Sequence, residues 1–401
     1  MIKIQDIATL SNGINFGKSA YTSGIKLIGV SDFKDRMYPD YNSLQEVDAK
    51  IVRENDFLHK GDIVFVRSNG NKELVGRCMM INQDIPVTFS GFCIRLRLNN
   101  TQLYNPTFFT YLFKSNGFRK AIAGTAVGAN IQNLSQGRLG NYEFECPNIE
   151  TQNRIATTLS RYDSLIDNYQ KQIKLLEEAA QRLYKEWFVN LRFPGHENTK
   201  IVDGVPEGWE KKKISDVCDT IGGGTPSTKV ASYYEGGTIK WVTPTDITRN
   251  KSLCLLDTDK KITEEGLKHS SAKMLPAGTI LMTSRASVGY FGIADFEVCT
   301  NQGFISCIPS SKYYQMYLLR NLMNRIEEIR IKAGGSTYLE ISKSVFRNLD
   351  IICPSDKILQ KFQARANAYY MQEKNLSIQL RLLTESRDRL LPKLLSGEIE
   401  V

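Results

Sequence analysis

The stretch TQNRIATTLSRYDSLIDNYQKQIKLLEEAAQRLYKEWFV, residues 151–189, decides how the chain folds. Its apolar residues fall at Ile155, Leu159, Tyr162, Ile166, Tyr169, Ile173, Leu176, Ala180, Leu183 and Trp187, spaced 4, 3, 4, 3 without a break. That is the seam of a coiled coil, narrower than the stripe of an ordinary surface helix. No Gly or Pro interrupts it. At 1.5 Å per residue the stretch makes a helix roughly 55–60 Å long.

The chain carries a partner for this seam. Adding 207 to each position gives Phe362, Ala366, Tyr369, Glu373, Leu376, Leu380, Leu383, Arg387, Leu390 and Leu394, apolar except at Glu373 and Arg387. The same offset maps Cys146-Pro147-Asn148 onto Cys353-Pro354-Ser355, so that in both copies a Pro precedes a residue able to cap a helix. The chain is therefore a tandem repeat, each half a mixed segment followed by a long helix. Two packings fit: the two helices pair with each other, as the strict heptad suggests, or each packs on its own half.

The segments before each helix repeat as well. IQDI (4–7) answers ISDV (214–217), and IKLIGVSDF (25–33), read as a buried strand ending at Asp32, answers IKWVTPTDI with its Asp246. GDIVFVRS (61–68) answers GTILMTSR (278–285), and GFCIRLRL (91–98), with Arg95 and Arg97 on one face, lies in the part answered by VCTNQGFISCI (298–308). PTFFTYLFKSNGFRKAI (106–122) and QMYLLRNLMNRIEEIRI (315–331) read as amphipathic helices, followed by small-residue loops at 123–135 and 333–346. The connector 187–214 is broken by Pro194-Gly195 and Pro206. Its Trp187, Phe188, Leu191 and Phe193 either complete a core or face a partner. The expected class is α+β: two similar mixed α/β halves and two long antiparallel coiled-coil helices, with a pseudo-two-fold internal repeat.

Composition narrows the function. The 401 residues include 41% hydrophobic and 24% charged side chains, ordinary for a soluble globular protein. No apolar run approaches a membrane span and no signal peptide opens the chain, so a cytoplasmic location is expected. The eight Cys form no CxxC and the three His (His59, His196, His269) are isolated, so no metal site is expected and the thiols read as core residues. A formal net charge of +9 favours a polyanion partner. Catalytic motifs fail one by one. SNGINFGKS (11–19) has Asn12 where a P-loop needs Gly, and GGGTPSTK (222–229) lacks Gly-Lys-Ser. Asn105-Pro106-Thr107-Phe108 lacks the second Pro of an amino-methyltransferase motif and reads as a helix cap with Pro in the first turn. Asp295-Phe296-Glu297 lacks a nuclease lysine. No catalytic residue is assigned.

A family resemblance rests on FVNLRFPG followed by VPEGWE, on RDRLLPKLLSGEI (387–399), on the paired Cys-Pro…Gln segments and on the paired KGDI and AGTI strands. Together these resemble specificity (S) subunits of type I restriction–modification systems. The resemblance implies two target-recognition domains, 1–147 and 194–353, separated by long helices at 148–193 and 354–401. It also implies one half of a split double-stranded DNA site per domain, with the unread spacer set by the helices. Further implied are two methyltransferase (M) subunits docked on the chain, restriction/translocase (R) subunits where the complex cleaves, and no membrane. S-adenosylmethionine, ATP and Mg are then expected on partner subunits, and no cofactor on this chain. The residues point the same way. Tandem copies joined by an antiparallel helix pair are related by an approximate two-fold, as are the strands of a duplex. The competing reading is a coiled-coil scaffold holding two protein-binding modules without DNA specificity.

Base edges and phosphates are read by Arg, Lys, Asn, Gln and Ser on loops. The candidates in the first half are Arg67, Ser68, Asn69, Asn71, Lys72 and Arg77, then Thr125, Asn130, Gln132 and Asn133. In the second half they are Ser284, Arg285 and Ser287, then Ser336, Thr337 and Tyr338, with Lys18 and Lys229 as phosphate contacts.

Overall fold

The computed structural model describes residues 1–34, 36–71, 73–123, 132–250, 252–335 and 339–401, with backbone only at 123 and 132. It divides into two compact units. The first is Met1–Ile166 with Leu383–Val401, and the second is Asp167–Leu382. The long helices run Ile149–Tyr184 and Asp356–Leu395, and each contributes to both units. Asn148 caps the first, its side-chain oxygen accepting from the Thr151 amide at 2.9 Å. A π-helical turn, Lys185–Val189, follows Tyr184.

In the first unit an antiparallel sheet has the strand order Ala8–Asn12, Cys93–Leu98, Ile63–Val66, Cys78–Met80. A second sheet sets Tyr21–Ile28 antiparallel to Gln45–Val47 and parallel to Val87–Phe89. The second unit repeats the pattern with Cys218–Gly222, Phe304–Pro309, Thr279–Thr283 and Phe291–Ala294, then adds Cys254–Leu255 at the edge. Its smaller sheet sets Ile239–Val242 antiparallel to Lys260–Ile262 and parallel to Cys299–Thr300. The repeat read from the sequence is thus a repeat of strand order and direction.

Both packings proposed for the helices occur together. In the first unit Ile155, Leu159 and Leu394 are buried in one core with Phe108, Phe109 and Phe144. The helix segments there run antiparallel, with Asp163 bonded to Arg387 and Arg154 to Val401. In the second unit Phe362, Ala366, Tyr184 and Trp187 share a core with Met316 and Tyr317. Trp187 and Phe193 are buried there with Phe188 and Leu191 packed against them, so this aromatic cluster completes a core. Seam residues Ile166 and Ile173 are also buried, whereas Tyr162, Tyr169, Leu183, Tyr369, Leu380, Leu383 and Leu390 are half-buried. Leu176 and Leu376 line an open groove of about 430 Å³ between the helix segments of the second unit. A pair of helices buries a heptad stripe on one side only; the domain cores cover the rest at its ends.

Three sequence expectations need correction. The strand expected to reach Asp32 stops at Ile28, because the Asp32 carboxylate accepts from the Gly29 amide (2.8 Å) and turns the chain into a 3₁₀ turn. Asp246 does the same for the Thr243 amide (2.7 Å) ahead of the helix Pro244–Arg249. The helix expected over 106–122 is two, Pro106–Lys114 and Asn116–Ala123, because Ser115 is extended (ψ 148°) and its hydroxyl accepts from the Phe118 amide. Likewise 315–331 breaks at Arg325, which clasps Glu328 with two hydrogen bonds of 2.8 Å.

The expected cap at Asn105 is present, its side chain accepting from the Thr107 and Phe108 amides. Among the described residues no helix is long and apolar enough to cross a membrane, and no cluster of His, Cys, Asp or Glu is grouped to hold a metal. Seven of the eight cysteines are buried and Cys146 is partly so; none is in a disulfide.

Candidate nucleic-acid interface

In the first unit the loop after Ile63–Val66 and the segment around 133 are joined. Ser68–Asn69 pairs antiparallel with Gln132–Asn133, setting Ser68 opposite Asn133 and Asn69 opposite Gln132. The Arg67 carbonyl accepts from the Leu134 amide (2.8 Å) and the Arg67 amide donates to Phe92 (2.8 Å). Beyond this bridge two side-chain turns shape the loop. The Asn69 side chain accepts from the Asn71 amide (2.7 Å), and that of Asn71 from the Glu73 amide (3.0 Å). Arg77 Nε and an Arg119 guanidinium nitrogen both donate to the Glu73 carbonyl, at 3.2 and 2.6 Å. Arg36, Arg77, Lys114 and Arg119 line one small hollow at the base of the loop. Of these four cations the sequence reading singled out only Arg77. The others lie on separate segments with no shared spacing to reveal them.

The second unit builds the same crossing. The Ser284 amide donates to Gly303 (2.8 Å), and the Ser284 carbonyl accepts from the Ile341 amide (3.0 Å). Arg285 is bridged to Glu340, and their side chains form a 3.6 Å ion pair. These bonds match Ser284 to Arg67 and Arg285 to Ser68. This is the register in which GDIVFVRS answers GTILMTSR, and it leaves Arg67 and Arg285 one residue out of step. On extended chain that step moves a side chain to the other face. The face holding Ser284 is buried, with Leu134 and Ile341 beside this position in their respective units also buried, whereas Arg285, Glu340 and Asn133 are exposed. Ser287 is exposed in the next turn.

The remaining candidates divide. Lys18, in the 3₁₀ turn Lys18–Ala20, and Lys229 are exposed, each on the loop that follows the first strand of its unit's main sheet. Lys72, Thr125, Asn130, Ser336, Thr337 and Tyr338 lie outside the described residues, as does the side chain of Gln132. The loops at 11–19 and 222–229 each owe a glycine to packing. A Cβ on Gly13 would stand 2.2 Å from the Phe89 carbonyl oxygen, and one on Gly223 would stand 2.1 Å from that of Asn301. Arg95 and Arg97 are structural. Arg95 donates to the Asn55 and Phe57 carbonyls, and burial lowers its pKa. Arg97 bonds buried Asp62 at 2.7 Å, which raises its own.

Comparison with known proteins gives a consistent result. The family described as type I restriction modification DNA specificity domain matches residues 1–178 and again 206–384. The type I restriction enzyme HindI specificity subunit of Haemophilus influenzae is 26% identical over 408 aligned positions, covering 85% of this chain and 87% of its own length. The MjaIX specificity subunit of Methanocaldococcus jannaschii is 38% identical over 162 residues, 39% of this chain and 37% of that protein. The crystal structure of a type I restriction–modification S subunit from M. genitalium has a similar fold, with a TM-score of 0.57 at 16% identity, covering 98% of this chain and 94% of that one.

Proposed function

Because the chain belongs to the DNA specificity family of type I restriction–modification systems, we propose that it reads a split site on double-stranded DNA for a methyltransferase complex. Each recognition domain takes one half-site, and the paired helices set the unread spacer. Two methyltransferase subunits dock on the chain, with restriction/translocase subunits added where the complex cleaves. S-adenosylmethionine, ATP and Mg act on those partners, and this chain supplies sequence recognition without catalysis, in the cytoplasm where the DNA is.

One observation carries this reading. Both domains bring two polar segments together at the same crossing beside the main sheet, with different side chains exposed on it. A shared scaffold with different tips suits two modules doing one job on two targets. Selection from random duplex pools tests it: enrichment of two short motifs at a fixed separation is expected, and no enrichment favours a protein-binding scaffold. A second experiment addresses the spacer. Deleting seven residues from both helices shortens the rod by roughly 10 Å, about three base pairs of duplex. The selected spacer is expected to shrink accordingly, and an unchanged spacer would remove the helices from that role.

A further inference from the structure

At the crossing, residues set directly opposite each other place their side chains on the same face. In the first unit that pair is Ser68 and Asn133, and in the second it is Arg285 and Glu340. The neighbouring residues Leu134, Ser284 and Ile341 are buried, whereas Asn133, Arg285 and Glu340 are exposed and Ser68, like Arg67, is half-buried. The second unit also holds this pair in a strained setting. Ala286 has φ +60°, and the Ser287 amide donates to the Arg285 carbonyl at 2.7 Å across it. That is the rarer, strained form of γ-turn, costly for a residue with a Cβ. Fully buried Thr283 fixes it from below, its hydroxyl bonding the Ser287 carbonyl and accepting from the Tyr290 amide. The Ala286 amide is tied to Leu339 on the opposing segment at 2.9 Å. Strain maintained by this many bonds marks a position where side-chain direction matters.

Resting on the DNA reading above, we infer that the opposed pair is the specificity-determining position of each domain: Ser68 with Asn133 for the first half-site, Arg285 with Glu340 for the second. Glu340 was not among the residues the sequence suggested. Its carboxylate holds Arg285 by an ion pair. Arginine reads guanine O6 and N7, a carboxylate accepts from cytosine N4, and asparagine reads adenine N6 and N7. The second pair therefore selects G·C, and the first selects A·T. Arg67, one residue out of step with Arg285, falls outside the reading pair.

The test uses the full chain with its methyltransferase and selection from random duplex. S68R/N133E is expected to move one base position of the first half-site from A·T towards G·C by roughly tenfold or more, and R285S/E340N to move one position of the second half-site the other way. In each case the untouched half-site keeps its preference. E340Q retains shape and a bond acceptor, and is expected to lower discrimination at that same position while thermal melting stays unchanged. It serves as the readout if a double variant fails to fold. If the unaltered protein selects a split motif and the folded variants select it too, with every position unchanged, the pair does not read bases. If the unaltered protein selects no split motif, the DNA reading itself fails and the pair goes with it.

Discussion

At one and the same place in the repeat the first unit has Ile166 and the second has Glu373, and both are buried. The isoleucine needs no explanation beyond the heptad. The glutamate answers a local demand. The second unit carries the additional edge strand Cys254–Leu255, and just before it the Leu253 amide meets the C-terminal helix. Glu373 accepts from that amide at 2.5 Å, beside Glu177 and the buried Arg320. A second contrast lies close by. In the first unit Asp163, on the central helix, accepts from the Tyr111 hydroxyl and from Arg387 at 2.6 Å. Its repeat mate in the second unit is Tyr370, which donates to Asp295 at 2.9 Å, and Asp295 also pairs with Lys374 at 2.8 Å. Both clasps join a tyrosine, an aspartate and a cation from the C-terminal helix. The aspartate and tyrosine have exchanged places between helix and domain. A repeat thus keeps the position of a polar clasp while its chemistry is redistributed.

The largest expected effect tests the first clasp. Asp163→Ala leaves the buried Tyr111 hydroxyl without its acceptor and takes from Arg387 one of its two carboxylates, the other being Asp388. Stranding a buried hydroxyl and weakening the ion pair beside it costs about 2–3 kcal/mol, to be read as a lower denaturant midpoint in circular dichroism. A loss under about 1 kcal/mol would mean that the clasp behaves as a surface pair.

The second prediction concerns the buried acid. Desolvation, then the neighbouring Glu177 charge, push the Glu373 carboxyl up to about 8 from 4.5. The folded state therefore holds a proton that the unfolded chain releases near 4.5. The stability this contributes is complete below that pH and is lost as pH rises through about 8. Glu373→Gln keeps an acceptor for Leu253 and removes the titration. The decline between these pH values is expected to flatten. All three tryptophans, Trp187, Trp209 and Trp241, lie in the second unit, so tryptophan fluorescence follows the right half of the chain. An unchanged pH slope would assign the acid pair no role in stability.

These two sites show what the sequence made legible and what it hid. The 4, 3 spacing revealed both helices and the repeat, because a period survives any change of detail. Capping chemistry placed Asn105 and Asn148, because those side chains act on amides two or three residues away. Glu373 and Arg387 read as defects of the seam, because their partners, Leu253 and Asp163, are far off in sequence. The read-out loops were located by residue type, but the residues that cross them were not: Glu340 opposite Arg285 has no local signal. The bonds to Phe92 and Gly303 put Arg67 and Arg285 one residue apart, as the pairing of GDIVFVRS with GTILMTSR does. The strand read through to Asp32 failed for a related reason: a carboxylate four residues past a strand takes the amide that would have extended it.

The smallest expected effect sharpens the contrast between the clasps. Lys374 supplies the cation of the second clasp from a different place in the repeat than Arg387 in the first; it gives Asp295 a single ammonium, and Tyr370 remains bonded without it. Asp163 and Asp295 side chains are 17% and 24% exposed, so solvent differs little between them. The difference lies in which partner is removed. Lys374→Ala leaves an aspartate still held by a hydroxyl and close enough to water to stay solvated, and should cost under about 1 kcal/mol. Removing the shared acceptor strands the buried Tyr111 hydroxyl; removing one donor strands no buried group. Tryptophan-detected melting of Lys374→Ala should therefore nearly overlay the parent curve. A loss as large as that of Asp163→Ala would show that the cation, and not the acid, holds the clasp together.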